Sequence, residues 1–177
     1  MNATTATVET LRFGYGETSL GTVLVAESDR GVAAIFLGDD RVKLRRDLAE
    51  AYRAAHLVED APGLAETIGK VVILVEAPSL ASELASDLPL DLRGSDLERA
   101  VWSALRAIPP GQTSSYGALA KALPMPATAQ DVGAACAANV LAVAIPCHRV
   151  VKADGSISGY RWGVQRKRRL ISMEAMA

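Results

Sequence analysis

Ile145-Pro146-Cys147-His148-Arg149-Val150 is the stretch on which the rest of this 177-residue chain turns. It sets a thiol, an imidazole and a guanidinium side by side behind a proline. Apolar residues precede it (Leu141 to Ile145) and follow it (Val150, Val151), which predicts a site walled by core. A cysteine attacks as thiolate, and its free pKa of about 8.5 leaves little thiolate at neutral pH. A neighbouring imidazole can take the proton or stabilise the anion. Side chains of successive extended residues point to opposite faces. Cys147 and His148 therefore cooperate only across a bend or through a water, and Pro146 supplies a bend because its ring fixes φ. The plainer alternative is that Cys147 is a small buried hydrophobe.

Downstream, Ala153-Asp154-Gly155 reads as a tight turn. Ser158-Gly159-Tyr160-Arg161-Trp162-Gly163 then puts two glycines among aromatic residues, a backbone that a flat ligand can approach closely. A last helix is expected from Val164 to Met173, with Leu170 inward. Its Arg166, Lys167, Arg168 and Arg169 form either a solvated face or a phosphate-contacting surface.

Upstream, Ser95 and Glu98 have capping-box spacing. The helix they open carries Leu97, Val101, Leu105 and Ile108 on one face, with Trp102 beside them, and Pro109-Pro110-Gly111 ends it. Ser115 is placed to cap a helix through Leu123, which Pro124-Met125-Pro126 breaks. A third, alanine-rich helix runs from Thr128 to Asn139. Helix, short break and small-residue helix suit a helix-turn-helix, and equally suit an ordinary antiparallel pair in a core.

The first half reads differently. Arg12–Tyr15, Gly21–Glu27 and Gly31–Leu37 are short, rich in branched and aromatic residues, and separated by turn residues, so they read as strands with a hairpin turn at Ser28-Asp29-Arg30-Gly31. Asp39-Asp40 opens a helix carrying Val42, Leu44, Leu48 and Tyr52. Residues 55–62 are a loop or short strand, and Gly63–Val75 is apolar at helical spacing. Residues 77–87 have no clear pattern, and Leu88–Leu92 alternates like an edge strand. Arg93-Gly94 is the expected boundary between units 1–92 and 93–177. Residues 1–92 carry a net charge of −7 and residues 93–177 a net charge of +6. A basic second half suits a polyanionic partner, nucleic acid first, or a charged surface with no partner.

Half of the residues are hydrophobic, enough for a core. No apolar run approaches the ~20 residues of a membrane span. The polar start Met1-Asn2-Ala3-Thr4-Thr5 gives no sign of a secretory leader, so a cytoplasmic protein is expected. Two cysteines, Cys136 and Cys147, and two histidines without CxxC or HxxxH spacing suggest neither a structural disulfide nor a zinc site. No metal and no cofactor is expected.

Pro146-Cys147-His148-Arg149-Val150, with Asn139 before it and Ser158-Gly159 after it, resembles the O6-alkylguanine-DNA alkyltransferases. The stretches Ala134-Ala135-Cys136-Ala137-Ala138-Asn139 and Ser158-Gly159-Tyr160-Arg161-Trp162-Gly163-Val164 are most similar to the alkyltransferase half of the bacterial adaptive-response proteins. The resemblance is weak before residue 88 and strong after it. It implies an α+β fold. A small N-terminal α/β domain with a mostly antiparallel, ribonuclease-H-like sheet precedes a mainly helical, winged helix-turn-helix-like DNA-binding and catalytic domain.

The resemblance also implies roles. Cys147 would accept the alkyl group from the guanine oxygen and keep it. His148 would relay a proton through a water, and Glu174 would orient that histidine. Asn139 would brace the hinge between recognition helix and active-site strand. Tyr116 would crowd a backbone phosphate and help turn the nucleotide out, and could donate a proton near the purine. Ser158, beside Gly159, would bond the guanine oxygen, and the carbonyls of Cys147 and Val150 would accept from the guanine amino group. Thr128, Ala129 and Gln130 would face DNA at the start of the recognition helix. Arg149, grouped with these contacts, would be mainly structural.

Two departures from the family pattern stand out. The recognition helix has Gln130, followed by Asp131, where the family carries an arginine inserted into the duplex. That bears on binding strength and flipping efficiency rather than on the chemistry. The four-cysteine zinc site and regulator segment of the adaptive-response proteins have no counterpart, so phosphotriester repair and transcriptional activation are not expected.

The function implied is single-turnover repair of O6-alkylguanine, with O4-alkylthymine as a second candidate base, in double-stranded DNA, by a monomer away from membranes. The alternative is a lesion-sensing DNA-binding module with an inert cysteine.

Overall fold

The computed structural model describes residues 7–177, so the polar start Met1–Thr5 lies outside the described residues. Three strands open the chain: β1 (Thr10–Thr18), β2 (Gly21–Ser28) and β3 (Gly31–Gly38). With β4 (His56–Glu59) they form a sheet in the order β3-β2-β1-β4. β1/β2 and β2/β3 are antiparallel, while β4 runs parallel to β1. β1 is longer than its apolar pattern suggests, because Gly14 and Gly16 pair in register with Val25 and Val23. Those glycines let a helix sit close on the strand: a Cβ at Gly16 would lie 2.8 Å from the Ile68 side chain.

Two helices pack on the sheet. α1 (Arg41–Ala51) starts at Asp40, whose carboxylate accepts from the Val42 and Lys43 amides. Leu44 and Leu48 are buried, but Val42 is 68% exposed, a correction to its expected place on the apolar face. Two residues of helix rotate a side chain by about 200°, so Val42 cannot share Leu44's face. Tyr52 follows the helix and donates its hydroxyl to Ala33 O at 2.6 Å. α2 (Ala65–Glu76) buries Ile68, Val71, Leu74 and Val75.

The unpatterned residues form a 3-10 turn at Pro78–Leu80 and α3 (Ala81–Asp87). Leu88–Leu92 is not a strand. It makes one parallel bridge, Leu90 with Val32, in which Val32 N donates to Pro89 O and Asp91 N to Val32 O. Pro89 has no amide to give, so the ladder does not lengthen.

The second half begins with α4 (Asp96–Arg106), opened by the expected Ser95/Glu98 capping box, and buries Val101, Trp102 and Leu105. α5 (Tyr116–Ala122) is capped by Ser115. α6 (Ala129–Ala138) has its own capping box, Thr128 with Asp131. Trp102 Nε1 donates to Ala135 O at 2.9 Å and pins α6 to α4. β5 (Ser114–Ser115) pairs in parallel with β6 (Val150–Val151) just after the Cys147 turn. α7 (Val164–Ala175) closes the chain.

The basic run on α7 is not one face. Lys167 is 1% exposed. Arg166 donates to Leu20 O and to Asp39, and Arg169 donates to Ser19 O, so both tie α7 to the N-terminal sheet. Arg168 alone of the four is exposed without such a bond among the described residues. The halves also join at the sheet edge: Ile35 N donates to Val140 O and Ala142 N to Ile35 O. One buried apolar cluster runs through both.

Candidate active site

The segment from Asn139 to Val150 is almost wholly buried, and three local devices aim it. Val143 has φ of 62°, the one positive φ outside glycine among the described residues. Ala144 N donates to Ala142 O across it at 2.7 Å, a γ-turn of the strained hand that costs about 1–3 kcal/mol. Pro146 (φ −81°, ψ 62°) then makes the expected bend, with Cys147 N donating to Ile145 O at 2.8 Å. Cys147, His148 and Arg149 form a single 3-10 turn, which points thiol and imidazole to different sides.

Asn139 ends α6 and holds this segment. Its Nδ2 donates to Ile145 O at 3.0 Å and to Cys147 Sγ at 3.3 Å, and its Oδ1 accepts from Leu141 N at 2.8 Å. Behind the turn lies a buried ionic group. His148 Nε2 is 2.7 Å from Glu174 Oε1, and Arg149 grips both oxygens of that carboxylate through Nε and Nη2 at 3.0 and 2.8 Å. Arg149 Nη1 also donates to Ile108 O.

These contacts set the charges. Burial pushes the Glu174 carboxyl up, but hydrogen bonds from His148 and Arg149 outweigh it and hold the group down at about 2. Burial lowers His148 against the pull of Glu174, so the ring is neutral. With Glu174 ionised, Nε2 carries the proton it donates, and Nδ1 keeps its lone pair. Burial raises the Cys147 thiol, while the Asn139 bond and the Lys167 charge oppose the rise. The resting group is a thiol beside a base.

Cys147 lies in the wall of a cavity of about 440 Å³, with Tyr116, Gly133, Cys136, Gly159, Tyr160 and Arg161. The Tyr116 and Ser158 hydroxyls share a hydrogen bond, and Lys167 Nζ donates to Ser158 Oγ at 3.1 Å and to Gly159 O at 3.4 Å. No group of three or more His, Cys, Asp or Glu side chains that could hold a metal gathers among the described residues.

A model of the 6-O-methylguanine DNA methyltransferase DNA-binding domain matches residues 96–176. A solved Mycobacterium tuberculosis OGT in complex with DNA is 30% identical, has a TM-score of 0.72, and aligns over 94% of this chain and 93% of its own. The chain belongs to the 6-O-methylguanine DNA methyltransferase family. An Escherichia coli relative, the bifunctional transcriptional activator/DNA repair enzyme Ada, is 45% identical over 166 residues, 93% of this chain and 46% of its own length. The chain thus spans about half the length of the first curated relatives it matches. The O6-methylguanine-DNA methyltransferase of Pyrococcus kodakaraensis has the same fold, with a TM-score of 0.71 at 26% identity over 93% of this chain and 98% of its own.

In this methyltransferase-family chain, Cys147, His148, Glu174 and Asn139 meet at one place, Tyr116 and Gly159 border the same cavity as Cys147, and Ser158 bonds Tyr116. Thr128, Ala129 and Gln130 are exposed at the start of α6. Val150 is buried, and its amide donates to Cys147 O, leaving that carbonyl one free lone pair. Arg149 is buried against Glu174 and Ile108. The sequence reading missed Cys136 in the cavity wall and Lys167 behind it, where its ammonium bonds Ser158 and Gly159. Helical spacing carried both: Lys167, Leu170 and Glu174 share one stripe of α7, and Gly133, Cys136 and Ala137 one stripe of α6.

Proposed function

We propose that this chain repairs O6-alkylguanine in double-stranded DNA by moving the alkyl group irreversibly to Cys147 Sγ, once per protein molecule. The observation that carries this reading is the placement of Cys147: its thiol borders an open cavity, while a neutral imidazole backed by a fixed carboxylate stands behind it. Family membership and a relative solved with DNA support the same reading.

A stacked base cannot present its alkyl carbon to such a thiol, so the nucleotide must leave the duplex, at a cost of a few kcal/mol. The α5–α6 pair suits DNA docking. Thr128, Ala129 and Gln130 lie where a duplex would meet α6, and small residues let that helix sit close. Tyr116 beside the cavity mouth suits displacement of the nucleotide. Ser158 Oγ, bonded to Tyr116 and Lys167, would meet the purine oxygen, and the carbonyls of Cys147 and Val150 its amino group.

In the reaction the Cys147 proton passes through a water to His148 Nδ1, and Glu174 stabilises the imidazolium. The sulfur lone pair forms a bond to the alkyl carbon as the carbon–oxygen bond breaks. The electron pair leaves with the purine, which takes one proton and becomes guanine. The thioether has no partner in the site that could cleave it, so turnover stops. The chain needs no cofactor for these steps and acts as a monomer, at the nucleoid in the cytoplasm. Among the described residues no helix is long and apolar enough to cross a membrane.

The test is incubation with a duplex containing O6-methylguanine, followed by mass analysis of the Cys147 peptide. One added methyl group, absent in Cys147→Ala, is expected. Bound DNA with an unmodified peptide would establish the inert-cysteine module instead.

A further inference from the structure

His148 Nδ1 and Tyr160 Oη are the two buried side-chain polar atoms without a hydrogen-bond partner among the described residues. An unpartnered buried donor or acceptor costs about 1–3 kcal/mol, so such atoms are rare and call for a reason. The two residues are neighbours. The rings meet edge to face, with centroids 6.4 Å apart and planes at 75°. Tyr160 also borders the cavity that Cys147 borders. Its ring is fixed from the other side by Trp162, with centroids 5.2 Å apart.

We propose that Tyr160 is a positioning residue for the transfer: its hydroxyl and His148 Nδ1 together hold the water that carries the Cys147 proton. The inference rests on the functional reading above and adds a group to it. A buried water needs two to four polar partners. Here the phenol O–H donates to the water oxygen, the water donates to Nδ1, and the remaining lone pair accepts the thiol proton. The arrangement has one direction. When the thiol proton reaches the oxygen, the proton facing Nδ1 moves on, leaving thiolate, water and imidazolium. Tyr160 stays protonated throughout, because burial raises its phenol far above the ordinary value.

The charged and titratable groups around this trio are Glu174, Arg166 and Lys167 from α7, Arg149 from the Cys147 turn, Arg161 from the cavity loop, Cys136 from α6 and Tyr116 from α5. None of them is bonded to either orphaned atom.

Tyr160→Phe keeps the packing on His148 and Trp162 and removes the hydroxyl alone. The readout is the single-turnover rate of methyl transfer from a duplex containing O6-methylguanine, followed from acid to alkaline pH. The variant should be about ten-fold slower at neutral pH, with the gap closing at alkaline pH, where hydroxide takes the thiol proton. Equal profiles, or a loss uniform at every pH, would overturn the assignment and leave Tyr160 a packing residue. A crystal structure of the unaltered chain gives a second reading, decisive even if the variant does not fold. One water within hydrogen-bond distance of Cys147 Sγ, His148 Nδ1 and Tyr160 Oη supports the proposal; a Tyr160 hydroxyl bonded elsewhere refutes it. If the unaltered chain leaves Cys147 unmethylated, the functional reading fails and this inference with it. If the chain is methylated and the profiles coincide, only the Tyr160 role falls.

Discussion

Glu174 holds the tautomer of His148 and neutralises Arg149, and it does so at 7% exposure. Its folded pKa of about 2 lies below its ordinary 4.5. A depressed carboxyl contributes its full stability above the unfolded value and loses it as pH falls through the folded one. The shift corresponds to something on the order of 3 kcal/mol. His148 acts in the same sense, since a buried neutral imidazole is lost when acid charges it. Urea unfolding should therefore show stability falling from near neutral pH and continuing to fall through pH 4.5 toward 2. In Glu174→Gln the lower part of that slope should become shallower, leaving the share of the other depressed carboxyls, Glu9 and Asp91 among them. At neutral pH the same variant should be destabilised by about 3–5 kcal/mol, because the Arg149 charge is left buried without its partner. A variant retaining the full acid slope would assign it to other carboxylates. The motif was legible at this scale because Cys147, His148 and Arg149 are consecutive. Glu174 was not legible from residues alone: 26 positions separate it from His148, and only family resemblance joined them. Lys167 was hidden by composition, since three arginines around it made the whole run look solvated.

At the scale of elements, the capped helices were the most readable part. Ser95/Glu98, Ser115 and Asp40 are local signals, and each opens its helix as expected. Elements that depend on a distant neighbour were less readable. β1 outran its apolar pattern because its glycines serve α2, and Leu88–Leu92 stopped at one bridge because its pairing needs Pro89. α6 carries the element-scale prediction. Asp131 folds back, its Oδ2 accepting from Thr128 N at 2.7 Å, and the Thr128 hydroxyl accepts from Asp131 N. The acidic residue next to Gln130 is thus engaged in the cap, and Gln130 itself is exposed. Gln130→Arg adds one cation where the helix would meet DNA, without disturbing the cap. Binding to an O6-methylguanine duplex should tighten several-fold at low salt. The slope of log affinity against log salt should steepen by about 0.9, the value for one more neutralised phosphate. Fluorescence anisotropy over a salt series measures both, and an unchanged slope would place Gln130 away from the duplex.

Over the whole molecule, the charge division proposed at residues 92 and 93 does not divide the core. Phe36, at 1% exposure in β3, lies under Trp162 and beneath the Arg161 guanidinium. Ile35 beside it exchanges backbone hydrogen bonds with Val140 and Ala142, in the segment that leads to Cys147. The acidic first half therefore supports the wall of the cavity from behind. Two halves sharing one core should unfold together. Phe36→Ala would remove a large buried ring, at a cost of about 3–5 kcal/mol, and lower the melting midpoint by roughly 10 °C for a chain of this size. Both tryptophans, Trp102 and Trp162, belong to the second half, so their fluorescence reports on it, while far-UV circular dichroism reports on helices and sheet together. The two signals should shift by the same amount in Phe36→Ala, and, on the proposed function, the temperature at which methyl transfer to Cys147 is lost should move with them. Were the circular dichroism to fall early while the tryptophan signal kept its midpoint, the sheet would be a separate unit. Its part in placing Cys147 would then be limited to the contacts at Ile35 and Phe36.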